Sequence, residues 1–121
     1  MNRAEFEAVV EEVLDGLPEE YARRLGNVEI LIEDAPTAET LREMGLDPRR
    51  DTLFGCYDGV PLGERGIDNA FLPDRITLFY RPLVRSFRSP RRIREEIRKT
   101  VVHEIAHHFG MDDDEIEDLG Y

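Results

Sequence analysis

Residues 89–113 read SPRRIREEIRKTVVHEIAHHFGMDD, and this stretch decides the fold. An apolar residue recurs at every fourth position, which predicts a long amphipathic helix over residues 86–110. Ser89 is suited to cap the helix N-terminus, with Pro90 at the first helical position. Gly110 is the expected residue just past the helix, where a positive φ lets the chain turn sharply. The apolar row consists of Ile93, Ile97, Val101 and Ile105.

Near the end of this helix lies the pattern His103-Glu104-Ile105-Ala106-His107. Helical residues four apart lie about 40° apart around the axis, so the imidazoles of His103 and His107 project from one face. Two neutral imidazoles placed in this way can share one zinc ion. Glu104 is turned away from both histidines, so it can flank the metal and reach a metal-bound water without being a ligand. The spacing therefore predicts one Zn²⁺ per chain.

A hydrolytic zinc site needs a third protein ligand and one open position. Asp113 follows the Gly110 turn, which would swing its carboxylate back toward the two histidines. We therefore expect Asp113 to be the third ligand, with Asp112 and Asp114 as alternatives if the turn differs. His108 points about 100° away from His107 on the helix, and we expect it beside the site or at the surface rather than on the metal.

The remainder of the chain predicts a second helix and three strands. The helix covers residues 3–17, with Asn2 as its N-cap. Strands are expected at Val28–Glu33 and at residues 53–57 and 75–80. A turn at Asp58-Gly59 and a loop at residues 61–69 join the last two strands. We expect an α+β fold in a single domain, residues 1–121, with a small twisted sheet of three to four strands packed on the long helix.

Composition excludes several classes of protein. The chain has 121 residues with 27 acidic and 16 basic side chains, so its net charge of −11 would repel nucleic acid. The single cysteine, Cys56, excludes an internal disulfide and a cysteine-based zinc cluster. The absence of a long apolar run and of a signal peptide predicts a cytoplasmic protein that binds no membrane. A basic stretch at residues 81–99 is expected to be solvated or to neutralise the acidic tail or the N-terminal helix, and the alternative is that it binds an anionic partner.

The motif His103-Glu104-x-x-His107-x-x-Gly110-x-x-Asp113 resembles the zincin metallopeptidases, in the variant of the metzincin motif with Asp as the third ligand. The segments GCYDGVPLGER (55–65) and LPDRITLFYRPLVR (72–85) resemble, more narrowly, a small bacterial family of zincin-like metallopeptidases. With the helix, the resemblance covers most of residues 53–114. It implies a minimal zincin-like fold, zinc ligands at His103, His107 and Asp113, and Glu104 as general base.

The resemblance implies a zinc-dependent metallopeptidase that hydrolyses peptide bonds of a peptide or protein substrate, using a zinc-bound water and the Glu104 base. The alternative is a catalytically silent, metal-stabilised module that binds a protein partner. An open, water-bearing metal position favours the enzyme, and a closed site favours the module. The sequence leaves the oligomeric state open.

Two further expectations concern how a substrate would be held. Residues 75–80 are either an edge strand that pairs with an extended peptide near the metal or an ordinary core strand. Tyr57, Tyr80 and Tyr121 are each able to supply a phenol to a developing oxyanion, and the sequence does not choose among them.

Overall fold

The computed structural model describes residues 1–58, 74–108, 110, 112–118 and 120. Asp58, predicted to begin a turn with Gly59, lies in a strand, whereas Gly59 and the predicted loop at residues 61–69 lie outside this part of the chain. The combination of helices with a three-stranded sheet confirms the α+β class. The elements in chain order are α1 (Arg3–Asp15), α2 (Glu19–Ala22), a 3-10 helix (Arg23–Asn27), β1 (Val28–Glu33), α3 (Ala38–Glu43), β2 (Gly55–Asp58), β3 (Asp74–Phe79), α4 (Tyr80–Ser86), α5 (Pro90–His108) and α6 (Asp113–Asp118).

The strand order is β1-β3-β2, so β3 lies in the centre of the sheet. It pairs with β1 in parallel from Val28↔Asp74 onward, and with β2 in antiparallel fashion from Gly55↔Leu78 onward. Of the two alternatives for residues 75–80, the structure therefore shows the core strand, and the edge-strand alternative is wrong. Ile76, Thr77, Leu78 and Phe79 are all buried, because the strand has neighbours on both sides and is covered on both faces.

Helices α1 and α5 pack against one face of the sheet and form the main core. Phe6 of α1, Ile76 of β3 and Ile97 of α5 are each fully buried there. Burial of an apolar side chain of this size contributes roughly 1.5–3 kcal/mol to folding. The long helix is thereby fixed against the sheet along its apolar row, as the sequence predicted.

The predicted helix caps are confirmed at both major helices. The Asn2 side chain accepts from the Glu5 amide at 2.8 Å, and the Glu5 carboxylate accepts from the Asn2 amide at 3.3 Å. At the start of α5, Ser89 Oγ accepts from the Arg92 amide at 3.2 Å. Beyond its end, Gly110 has φ +85°, and its amide donates to the His107 carbonyl at 3.0 Å. Gly110 thus makes the expected sharp turn.

Helix α4 is an element that the sequence analysis did not predict. Tyr80 was expected to end the third strand, but it begins this helix instead. Pro82 is tolerated because it lies in the first turn, where its missing N–H has no helical partner to lose. Leu83 of α4 is fully buried, so contact with the core stabilises this short helix.

Candidate metal centre

The first two predicted ligands lie side by side on α5. The ring centroids of His103 and His107 are 5.9 Å apart, with the ring planes at 84° to one another. His103 is half-buried and His107 is exposed, so this side of the helix is open to solvent. The i, i+4 spacing on a regular helix produces this arrangement without help from the rest of the fold.

Glu104 lies between the helix and strand β2, where it is half-buried. Burial raises the pKa of its carboxyl group, and this effect exceeds the opposing influence of His107, His103 and a hydrogen bond from the Tyr57 backbone N–H. A carboxylate with a raised pKa holds a proton more tightly, as a general base requires.

The pairing pattern of β2 explains why the Tyr57 amide is available to Glu104. The Phe79 amide donates to the Phe54 carbonyl at 2.9 Å, so these two residues face each other across a hydrogen-bonded pair. Antiparallel pairs alternate, which directs the Cys56 amide toward β3 and the amides of Gly55 and Tyr57 toward the opposite edge of β2. Glu104 accepts from the second of these outward-pointing amides.

A pocket of about 330 Å³ lies between the β2 segment and α5, next to the motif. A Cβ added to Gly55 would lie 2.7 Å from Thr100 Cγ2 and 2.9 Å from the Thr77 carbonyl oxygen. Strand and helix therefore approach each other closely only because residue 55 is glycine. The pocket is lined by Thr52, Leu53, Phe54, Gly55, Glu96, Lys99, Thr100, His103 and Glu104.

A second polar cluster adjoins the motif. Asp74, whose side chain is 7% exposed, accepts a hydrogen bond from the Tyr57 hydroxyl at 2.7 Å, and His108 Nε2 lies 3.3 Å from the same carboxylate oxygen. The rings of Tyr57 and His108 stack at 4.3 Å with 14° between their planes. The sequence analysis placed His108 beside the site or at the surface but missed Asp74 and the role of Tyr57. The available signal was that His108 follows Glu104 by four residues.

The third ligand remains a prediction. Asp113 begins α6, but its side chain is outside the described part of the chain. Of the alternatives, Asp112 caps α6, since its Oδ1 accepts from the Glu115 amide at 2.9 Å, and Asp114 is exposed. Among the side chains that the structure does describe, no group of three or more His, Cys, Asp and Glu is arranged to hold a metal.

Two of the three tyrosine hydroxyls have partners within the fold. Tyr80 donates to the Met1 carbonyl at 2.6 Å, and Tyr57 donates to Asp74. Tyr121 lies outside the described residues. Assistance of an oxyanion by a tyrosine therefore stays a prediction.

Comparison with known proteins assigns the family. The model of the family described as zincin-like metallopeptidase matches residues 25–121, so the chain belongs to that family. No curated protein matches the chain. A solved structure of a conserved hypothetical protein from Thermus thermophilus is similar, with a TM-score of 0.58 and 23% identity, over 98% of this chain and 97% of that one. At this identity, the likeness shows a shared fold.

None of the helices in the described part of the chain is both long enough and apolar enough to cross a bilayer.

Proposed function

We propose that this protein is a zinc-dependent metallopeptidase in which His103, His107 and Asp113 bind zinc and Glu104 is the general base. One observation carries the proposal. The two imidazoles share one open helix face, while strand β2 holds a half-buried carboxylate beside them through the Tyr57 amide. Membership of the zincin-like family supports the same chemistry.

The residues present suit a catalytic zinc ion. His103 and His107 offer the neutral nitrogen donors that zinc binds, and their side of the helix is accessible. Two histidines with one carboxylate form a three-ligand set that leaves a position open for substrate or water. When bound, zinc supplies Lewis-acid polarisation of the scissile carbonyl and makes a water more acidic.

Glu104 performs the proton transfers in this proposal. Its carboxylate takes a proton from the attacking water and later delivers one to the leaving amine. The Tyr57 amide keeps the carboxylate at the edge of β2, so it stays next to the histidines without joining them as a ligand. Partial burial supports this role because it increases the affinity of the carboxylate for the proton.

The free edge of β2, within the described residues, aligns the substrate in this proposal. The Gly55 amide and carbonyl point outward and can pair with one residue of an extended peptide. The adjoining 330 Å³ pocket then receives a substrate side chain against Leu53 and Phe54. This edge takes the role that residues 75–80 would have had in the edge-strand alternative.

A comparison of three variants with the wild-type protein tests the proposal. His103→Ala should lose stoichiometric zinc, measured by elemental analysis. Glu104→Gln should keep zinc but no longer cleave a peptide library, because the amide cannot accept the proton. Glu95→Gln is the matched control, since Glu95 lies on the same helix in an exposed ion pair with Arg91, and it should keep both properties.

Three outcomes would count against the proposal. Full zinc content in His103→Ala would contradict the ligand assignment. Equal cleavage by Glu104→Gln and the wild type would exclude Glu104 as the base. Absence of cleavage by the zinc-loaded wild type would favour the catalytically silent binding module.

A further inference from the structure

We infer that Asp74, Tyr57 and His108 form a clamp that fixes strand β2 on helix α5 and thereby positions Glu104 for proton transfer. The inference rests on the proposed role of Glu104 as general base. The three clamp residues act through Glu104 and the strand, so they are positioning residues rather than catalytic ones.

Helix α5 presents two adjacent rows of side chains near its end. His103 and His107 form the row of predicted ligands, whereas Glu104 and His108 form a second row that faces β2. Glu104 accepts from the Tyr57 backbone N–H, and the His108 ring stacks on the Tyr57 ring at 4.3 Å. One residue of β2 is therefore held at its backbone and at its side chain by two helix residues one turn apart.

A buried carboxylate completes the contact. Asp74 is the first residue of β3, and its side chain is 7% exposed. A carboxylate in such a place requires hydrogen-bond donors. Tyr57 Oη at 2.7 Å is one donor, and His108 Nε2 at 3.3 Å is placed to be another. Asp74 thus joins β2, β3 and the end of α5 at a single point.

The clamp matters because the described part of β2 consists of four residues, and its Tyr57 contacts lie directly at the amide that Glu104 uses. Without the Asp74 contact, the β2 end can twist and withdraw that amide from the carboxylate. A base must remain within hydrogen-bond reach of its proton, and a displacement of about 1 Å can cost on the order of 100-fold in rate.

Hydrogen exchange in the zinc-free, full-length protein tests the clamp without requiring activity. Tyr57→Phe removes only the hydroxyl, Asp74→Asn removes the charge, and both should speed exchange of the residue 57 amide by about tenfold. The Cys56 amide, which points to β3, should keep its rate. Tyr80→Phe is the matched control, because its hydroxyl donates instead to the Met1 carbonyl, and it should change neither amide.

Steady-state kinetics of the zinc-loaded proteins provide the second readout. Asp74→Asn, which removes none of the proposed substrate or metal contacts, should lower kcat by about tenfold while the KM for the peptide and the zinc content stay unchanged. A fall in Tyr57→Phe but not in Asp74→Asn would assign the effect to the phenol at an oxyanion instead of to the clamp. If wild-type protein cleaves no peptide, the proposed function fails, and exchange at residue 57 still decides the clamp.

The clamp is overturned by either of two exchange results. An unchanged rate at residue 57 in Tyr57→Phe would show that the hydroxyl does not hold the amide in place. A uniform rise at all core amides would show that the residue serves only general stability. If Asp74→Asn does not fold, Tyr57→Phe alone decides.

Discussion

At Glu104, burial disfavours the charged carboxylate in the folded chain, although the Tyr57 amide and two histidines partly compensate. The pKa of this group is therefore raised on folding. The folded state binds the proton more tightly than the unfolded state does, so the contribution of Glu104 to stability falls as the pH rises through the raised pKa. Buried charged groups in active sites commonly lower the stability of the folded state in this way.

Glu104→Gln should therefore raise the melting temperature of the zinc-free protein at neutral pH. The amide has nearly the same shape but carries no charge that burial disfavours. The difference from wild type should shrink in acid, where Glu104 is protonated in both states. Thermal unfolding in chelator at several pH values between 4 and about 8 measures this. A variant that is less stable at neutral pH would show that the carboxylate stabilises the fold.

The residues of the motif were predictable because their relation is local. Helical spacing alone places His103 beside His107 and Glu104 beside His108, and the structure has both pairs on α5. Asp74 and Tyr57 meet His108 only through the tertiary fold, so no periodicity in the sequence links them. The two pairs of side chains on the helix could therefore be predicted from the sequence, but the contacts of His108 with Asp74 and Tyr57 could not.

At the scale of elements, the sequence left the strand order open and did not decide whether residues 75–80 form an edge strand or a core strand. The sequence indicated three strands in approximately the right places, but pairing is set by contacts between distant segments. A sequence signal for the central strand was nevertheless present, because Ile76, Leu78 and Phe79 give residues 76–79 three apolar side chains in four, and the fold buries all four positions. Strands covered on both faces show such continuous runs, whereas edge strands tend to alternate.

The close approach of β2 to α5 gives a prediction about Gly55. Gly55→Ala should lower the free energy of unfolding by about 1–3 kcal/mol, because the new methyl group would overlap Thr100 Cγ2 and the Thr77 carbonyl. Gly26→Ala is the control, since nothing lies within 4 Å of the added carbon there. Urea unfolding compares the two variants. An equal, small effect at both positions would mean that β2 and α5 are not closely packed.

Helix α6 provides a test of the third ligand. Asp112 caps this helix, and the fully buried Ile116 anchors it to the core, so the cap affects where Asp113 lies. Asp112→Ala should weaken zinc binding and cost about 1 kcal/mol of stability, whereas Asp112→Ser keeps a capping oxygen and should retain both. Glu117→Ala, at an exposed position of the same helix, is the control. Isothermal titration with zinc measures the affinity, and loss of binding in Asp112→Ser would identify Asp112 itself as the ligand.

For the molecule as a whole, the charge is unevenly distributed. Residues 81–99 carry eight basic and two acidic side chains, while the complete chain has a net charge of −11. Part of this basic stretch is matched inside the fold. Arg94 pairs with Glu12 of α1, and Lys99 pairs with Glu96 at 3.7 Å. Ion pairs at the surface contribute about 0–1 kcal/mol each to the free energy of unfolding. Their main effect is therefore on the electrostatic field around the protein.

The negative electrostatic field of the protein predicts which peptides it cleaves fastest. The negative surface should draw in peptides that carry basic residues, which raises their association rate and hence kcat/KM. Two peptides that differ only in one Lys or Glu, placed several residues from the scissile bond, isolate the effect from contacts in the pocket. At low ionic strength the Lys peptide should be cleaved several-fold faster. The ratio should approach one at about 1 M salt, where the field reaches only ~3 Å, while a Gln peptide should change less than either. A preference for the Glu peptide, or a ratio that salt does not alter, would show that local contacts rather than the overall charge select the substrate.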